Sequence, residues 1–139
     1  SQHAQRLLPP EQRTIVRHKT FGLRRMTLDE AEYDMALLAY QFHLFTEAGT
    51  GSDSVLYIVD DDPPYRLSQL DPQPDLVTPA ADWVSVSTQR PAELAVADAI
   101  ERLDLSGWPF VFFRDSATGR GCVVYHRFDG HYGLIRPAT

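Results

Sequence analysis

The side chains with the most chemical potential lie near the C-terminal end of the chain. His126 and His131 flank Asp129-Gly130, so a tight turn there brings two imidazoles together, the start of a metal site. No third ligand has suitable spacing, and both histidines fall in a strand–turn pattern, so strand histidines are the better reading. Asp60-Asp61-Asp62 offers hard oxygen ligands, but the adjacent Pro63-Pro64 marks an ordinary turn. Cys122 is the only cysteine, so no internal disulfide can form, and as a nucleophile it needs a positioned base. It is expected to pack as a small apolar residue. No phosphate-binding glycine loop, His-Glu-x-x-His or Gly-x-Ser-x-Gly motif is present. The expectation is no catalytic residue, no metal, no cofactor and no small-molecule substrate.

What remains is a set of cations, Arg13, Arg17, Lys19, Arg24 and Arg25, suited to meeting phosphates in a salt-dependent way. The plainer alternative is solubilising charge on a strand edge. Arg114, Arg120, Arg127 and Arg136 make a second, weaker strip. The net charge of −6 argues against nucleic-acid binding by the whole surface, but it conceals a gradient. Residues 1–26 carry +5, residues 27–75 carry −10 and the remainder −1. An acidic body with a basic leading edge suits contact with RNA along one strip. No apolar run approaches the roughly 18 residues that span a membrane, and no signal-peptide core is visible, so a cytoplasmic protein is expected.

These residues sit on a repeated framework. Sliding the chain against itself by 68 residues brings Phe42 onto Phe110, Phe45 onto Phe113, Thr50 onto Thr118 and Gly51 onto Gly119. Val55 then falls on Val123, Tyr57 on Tyr125 and Asp61 on Asp129. The matches alternate as in a strand pair, so the chain reads as a diverged duplication. Copy one opens with the extended run Thr14–Phe21, then Thr27 as a helix N-cap with Glu30 as its capping-box partner. Leu28, Ala31, Met35 and Leu38 give that helix its apolar stripe. Copy two opens with Trp83-Val84-Ser85-Val86-Ser87, and its helix is expected to begin near Pro91, burying Leu94, Ala97, Ile100, Leu103 and Leu105. Each copy continues with three strands; in copy two Asp129-Gly130 signals a type I′ turn, and in copy one Asp60-Asp61-Asp62-Pro63-Pro64 replaces it, so the final hairpin must turn differently. The chain thus predicts an α+β fold of two β-α-β-β-β modules: a flexible lead-in at 1–12, a module at 13–70, a linker at 71–77 and a module at 78–139.

The run from Phe110 to Gly119, then Val123-Val124-Tyr125-His126-Arg127-Phe128-Asp129-Gly130-His131-Tyr132-Gly133-Leu134-Ile135-Arg136-Pro137, resembles the C-terminal domain of long-form hibernation promoting factors. The run Ile15–Phe21 with Met26-Thr27-Leu28-Asp29-Glu30-Ala31 resembles the head of the same domain. Copy one lacks the Asp-Gly-x-Tyr-Gly-Leu-Ile ending, keeping Tyr65 and Leu67 as remnants; copy two lacks the basic first strand. In this family a single C-terminal domain pairs between molecules to join two ribosomes. The duplicated arrangement resembles the dormancy-associated factors of mycobacteria and their relatives. The resemblance implies a ribosome-associated factor that stabilises inactive ribosomes and represses translation under stress or dormancy. It implies contact with rRNA and proteins of the small subunit. It also implies that an N-terminal domain is missing, so that the chain is a fragment.

A module of about 60 residues has a marginal core and leaves strand edges and an aromatic sheet face to cover. A tethered partner is present at millimolar effective concentration or above, which favours pairing within the chain. We therefore expect an intramolecular pseudo-dimer through the sheets, with Phe42, Leu44, Val55 and Tyr57 facing Phe110, Phe112, Val123 and Tyr125. Alternation alone does not choose between the two faces, nor does it say whether strands are exchanged between copies. A chain with its pairing surface occupied would bind single ribosomes. The alternatives are an intermolecular dimer that joins two ribosomes, and a small enzyme or ligand-binding domain on the same fold, which would need a deep polar pocket.

Overall fold

Thr27 and Glu30 stand ahead of an apolar stripe, and the computed structural model, which describes residues 8–19, 24–79 and 81–138, has a helix there. In α1 (Leu28–Leu38), Thr27 Oγ1 accepts the Glu30 N–H at 3.2 Å and Glu30 Oε1 accepts the Thr27 N–H at 3.1 Å. Leu28, Ala31 and Met35 are buried; Leu38, expected on the same stripe, sits in the last turn and is exposed. Helix α2 (Val96–Ser106) lies 68 residues further on, but it starts beyond the Pro91 expected to open it. Its buried face is Ala99 and Leu103 with Val96 and Ile100 alongside, while Ala97 and Leu105 are exposed. Proline suits an extended segment as well as a first helical turn. Here Ala92 and Leu94 give their carbonyls to the N–H groups of Arg114 and Ser116, so Leu94 belongs to a strand.

The strands are β1 (Ile15–Lys19), β2 (Phe42–Thr46), β3 (Asp53–Ile58), β4 (Tyr65–Gln69), β5 (Val84–Val86), β6 (Glu93–Leu94), β7 (Phe110–Asp115), β8 (Gly121–His126) and β9 (Tyr132–Arg136). They form two mixed sheets, ordered β2-β3-β4-β5 and β1-β9-β8-β7-β6. The first strand of each copy has crossed to the other sheet: β1 runs parallel to β9, and β5 parallel to β4. The exchange is reciprocal and in register. Ile15 pairs with Tyr132 where Val84 pairs with Tyr65, and Arg17 pairs with Leu134 where Val86 pairs with Leu67. The ranges 13–70 and 78–139 of the two sequence copies therefore do not coincide with the two sheets. The connecting stretch 71–77 carries a 3-10 turn at Pro74–Leu76 and buries Val77 in the first core. Of the lead-in at 1–12, residues 1–7 lie outside the described residues, as do 20–23.

Strand β6 adds an element to the β-α-β-β-β reading, and its counterpart in copy one is the single parallel bridge between Met26 and Glu47. The hairpin at Asp129-Gly130 also differs from the type I′ expectation. Only Gly130 has positive φ, at 90°, and its N–H closes on the Arg127 carbonyl while the Arg127 N–H meets the His131 carbonyl. A turn followed by one left-handed glycine satisfies the strand ends with three loop residues instead of two.

Period-two alternation sends one side of each sheet to its helix and the other to its sister sheet. Phe45, Leu56 and Leu67 join Leu28, Ala31 and Met35 in one core; Val111, Phe113, Val124 and Leu134 join Ala99 and Leu103 in another. A third core lies between the sheets. The layers run helix, sheet, sheet, helix, an α+β fold of two tandem modules joined through their sheets.

Candidate pairing surface and basic strip

The third core contains Leu44, Val55 and Val123, all at 2% exposure or less, with Phe42, Tyr57, Phe110, Phe112, Tyr125 and Ile135 packed around them. The eight residues singled out from the sequence are thus all in one cluster, with Ile135 added. Its geometry is nearly symmetric. Phe42 meets its own counterpart Phe110 with ring centroids 4.8 Å apart. Phe42 meets Tyr125 edge-on at 5.5 Å, and Phe110 meets Tyr57 edge-on at 5.2 Å. Such edge-to-face pairs satisfy the ring quadrupoles and are each worth roughly 0.5–1.5 kcal/mol beyond their buried area. Gly133 belongs to this surface as well: a Cβ there would come within 2.2 Å of the Tyr125 ring, so the ring lies flat on bare backbone.

At the rim of this core the symmetry breaks. Asp53 Oδ2 accepts the Arg120 Nε–H at 2.8 Å and the Gly121 N–H at 2.9 Å, and its Oδ1 accepts from Arg120 Nη2 at 3.0 Å and Thr46 Oγ1 at 3.2 Å. Burial raises the Asp53 carboxyl's pKa, but the side-on guanidinium and the Gly121 N–H outweigh it and hold the group below its ordinary value. Asp71 makes a second link, with Arg114 Nη2 at 2.9 Å and Arg90 Nη1 at 2.8 Å. Neither acid stood out in the sequence. The signal was available in the self-alignment, where Asp53 falls on Gly121 and Ser52 on Arg120, so a charge pair stands where the copies otherwise match.

The expected phosphate contacts divide. Arg13 turns inward: its side chain is 12% exposed, lies over the Tyr132 ring and stands 3.6 Å from Asp104. Arg17, Arg24 and Arg25 are exposed, with Arg24 bonded to Glu30 at 2.9 Å. The Lys19 side chain lies outside what is described, though its backbone continues β1. Among the described residues β1 is the outer strand of its sheet, so Arg17 stands on a sheet edge. The second strip is engaged within the protein: Arg114 binds Asp71, Arg120 binds Asp53 and Arg127 binds Asp129.

The remaining chemical candidates have structural partners. His131 Nδ1 accepts the Thr14 N–H at 2.9 Å, tying the start of the exchanged strand, and His126 stacks near Tyr132. Asp61 caps its own turn through the Asp62 N–H and pairs with Arg66. Burial pushes the Cys122 thiol up to about 11, so a thiolate is scarce at neutral pH. Among the described residues no group of three metal-ligating side chains is present, and no helix is long and apolar enough to cross a membrane.

Comparison with known proteins agrees with this duplicated architecture. Over 95% of its length the chain is 37% identical to proteins named dormancy associated translation inhibitor from two strains of Mycobacterium tuberculosis, CDC 1551 and H37Rv. It spans about half of those relatives, 50% of each. It is also 35% identical to a ribosome hibernation promotion factor of Bradyrhizobium diazoefficiens, over 39% of this chain and 27% of that protein. The family described as sigma 54 modulation/S30EA ribosomal protein C terminus matches twice, at residues 10–63 and 84–134. The chain belongs to that C-terminal family and carries its domain in two copies.

Proposed function

We propose that this chain is the ribosome-binding C-terminal region of a hibernation factor, acting in the cytoplasm to stabilise inactive ribosomes and repress translation. The names of its relatives support the class of activity, and the site supports a binding module with no role in catalysis. The finer reading is that it acts on single ribosomes. One observation carries this: the aromatic faces of the two copies cover each other within one chain, leaving no free copy of that surface to recruit a second molecule. Two such faces on separate chains would form an isologous joint between two ribosomes. Here the tether satisfies both at once. Contact with the small subunit is assigned to Arg17, Lys19, Arg24 and Arg25, with Arg13 reassigned to holding β1 against the second module.

Adding the full-length protein to ribosomes and resolving the particles on a sucrose gradient tests this. Protein comigrating with single ribosomes is expected. A prominent two-ribosome peak would overturn the single-ribosome reading in favour of an intermolecular joint. Pelleting with ribosomes at low and high salt tests the basic strip. Neutralising Arg17, Arg24 and Arg25 together should weaken binding and flatten its salt dependence.

A further inference from the structure

A duplicated module creates a problem of partner choice, because each face retains the shape to pair with its own kind. Phe42 against Phe110 and the two crossed Phe–Tyr pairs are nearly equivalent, so the aromatic centre cannot tell one copy from the other. The rim can. Asp53 and Gly121 are counterparts under the 68-residue shift, and they meet across the pseudo-two-fold. A Cβ on Gly121 would lie 2.8 Å from the Asp53 Cβ, closer than side chains tolerate. Copy one against copy one would therefore set Asp53 against Asp53, with two carbons in collision and two carboxylates in a buried rim. Copy two against copy two would set Gly121 against Gly121 and leave the Arg120 guanidinium without its acid. Only the mixed pair supplies the carboxylate, the bidentate guanidinium and the space.

We propose that Asp53, Arg120 and Gly121 form a selectivity lock that admits a copy-one face only against a copy-two face. The surface takes as its partner the complementary copy, in the same chain or another, and rejects its own kind. Selectivity of this sort rests on a repulsive element as much as an attractive one, and the Asp53 side chain supplies both. The lock would keep two such chains from joining through like copies, and would bar the copy-one face from pairing with any module that carries a carboxylate at the Gly121 position.

Two full chains test this, one carrying Asp53→Arg and the other Arg120→Asp. Each alone opposes like charges at its internal rim. Mixed and refolded together, copy one of either chain finds its complement only on copy two of the other. The expected result is a one-to-one complex of two-chain mass in the mixture, absent from either variant alone, and a one-chain species for both changes in the same chain. A mixture with no two-chain complex, while the double variant folds, would overturn the lock. Should the double variant fail to fold, the charge-removing Asp53→Asn and Arg120→Gln decide through a double-mutant cycle in urea. Coupling of at least about threefold in the unfolding constant supports the lock, and less overturns it.

Discussion

Val123 is fully buried between the sheets, and Val123→Ala removes two methyl-sized groups from the pairing core. Lost burial costs about 1.6 kcal/mol at roughly 0.8 kcal/mol per group. The cavity adds about 1 kcal/mol, because two sheets tied by exchanged strands have little freedom to close on it. A loss of about 2.5 kcal/mol, with a urea dependence of about 2 kcal/mol per molar, lowers the midpoint by roughly 1 M. The informative part is where the loss registers. Trp83 stands against Tyr65 at 5.2 Å and packs on the first core, on the far side of the first sheet from Val123. In a Trp108→Phe background, which leaves Trp83 as the one tryptophan, its fluorescence and far-ultraviolet circular dichroism should shift together, as one transition. If Trp83 kept its midpoint while the circular dichroism moved, the copies would be folding independently and the cooperative pairing inferred from the exchanged strands would be wrong.

Other outcomes follow from the same contacts. Acid should weaken the fold in two windows. Burial lowers the His43 pKa against the opposing pull of Asp34, so the unfolded chain binds its proton first, and stability falls as pH drops from 6.5 through the folded value. Asp53 is held below its ordinary 3.8, so its contribution is intact above that pH and is lost as pH falls through the lowered value. Unfolding midpoints across pH 2 to 7 check both, and Asp53→Asn should shrink the lower window, to which the lowered carboxyls of Glu30 and Asp129 also contribute, while leaving the upper one unchanged. Thr27→Ala deletes one half of the α1 capping box and should cost about 1 kcal/mol in a urea titration, with Thr27→Ser restoring most of it. Gly133→Ala drives a methyl into the Tyr125 ring and should cost about 1–3 kcal/mol by overpacking, relieved when Tyr125→Leu is added.

How much of this could be seen in the amino-acid order depended on whether the cause was local. The Thr27–Glu30 box depends on a spacing of three residues, and it is present. The pairing face followed from alternation along β2, β3, β7 and β8, with Phe42 and Phe110 as counterparts. The exchange of β1 and β5 had no local signature. Either strand makes the same parallel pairing at the edge of a sheet, so crossing over leaves each strand's backbone hydrogen bonding unchanged. Pro91 marked an extended run in place of a helix start because proline fixes φ without choosing ψ. Arg13 read as a phosphate contact because its partners, Asp104 and Tyr132, lie about a hundred residues away and only the exchanged strand brings them near. Asp53 was overlooked because it pairs with Arg120 across 67 positions, where no periodicity reaches.

Sedimentation equilibrium over a wide range of protein concentration tests internal pairing most directly. A chain whose two copies clasp each other should keep the mass of one chain from nanomolar to high micromolar concentration. A rise to the mass of two chains within that range, reversed on dilution, would mean that the aromatic faces seek a second molecule, and the internal pairing described here would be contradicted.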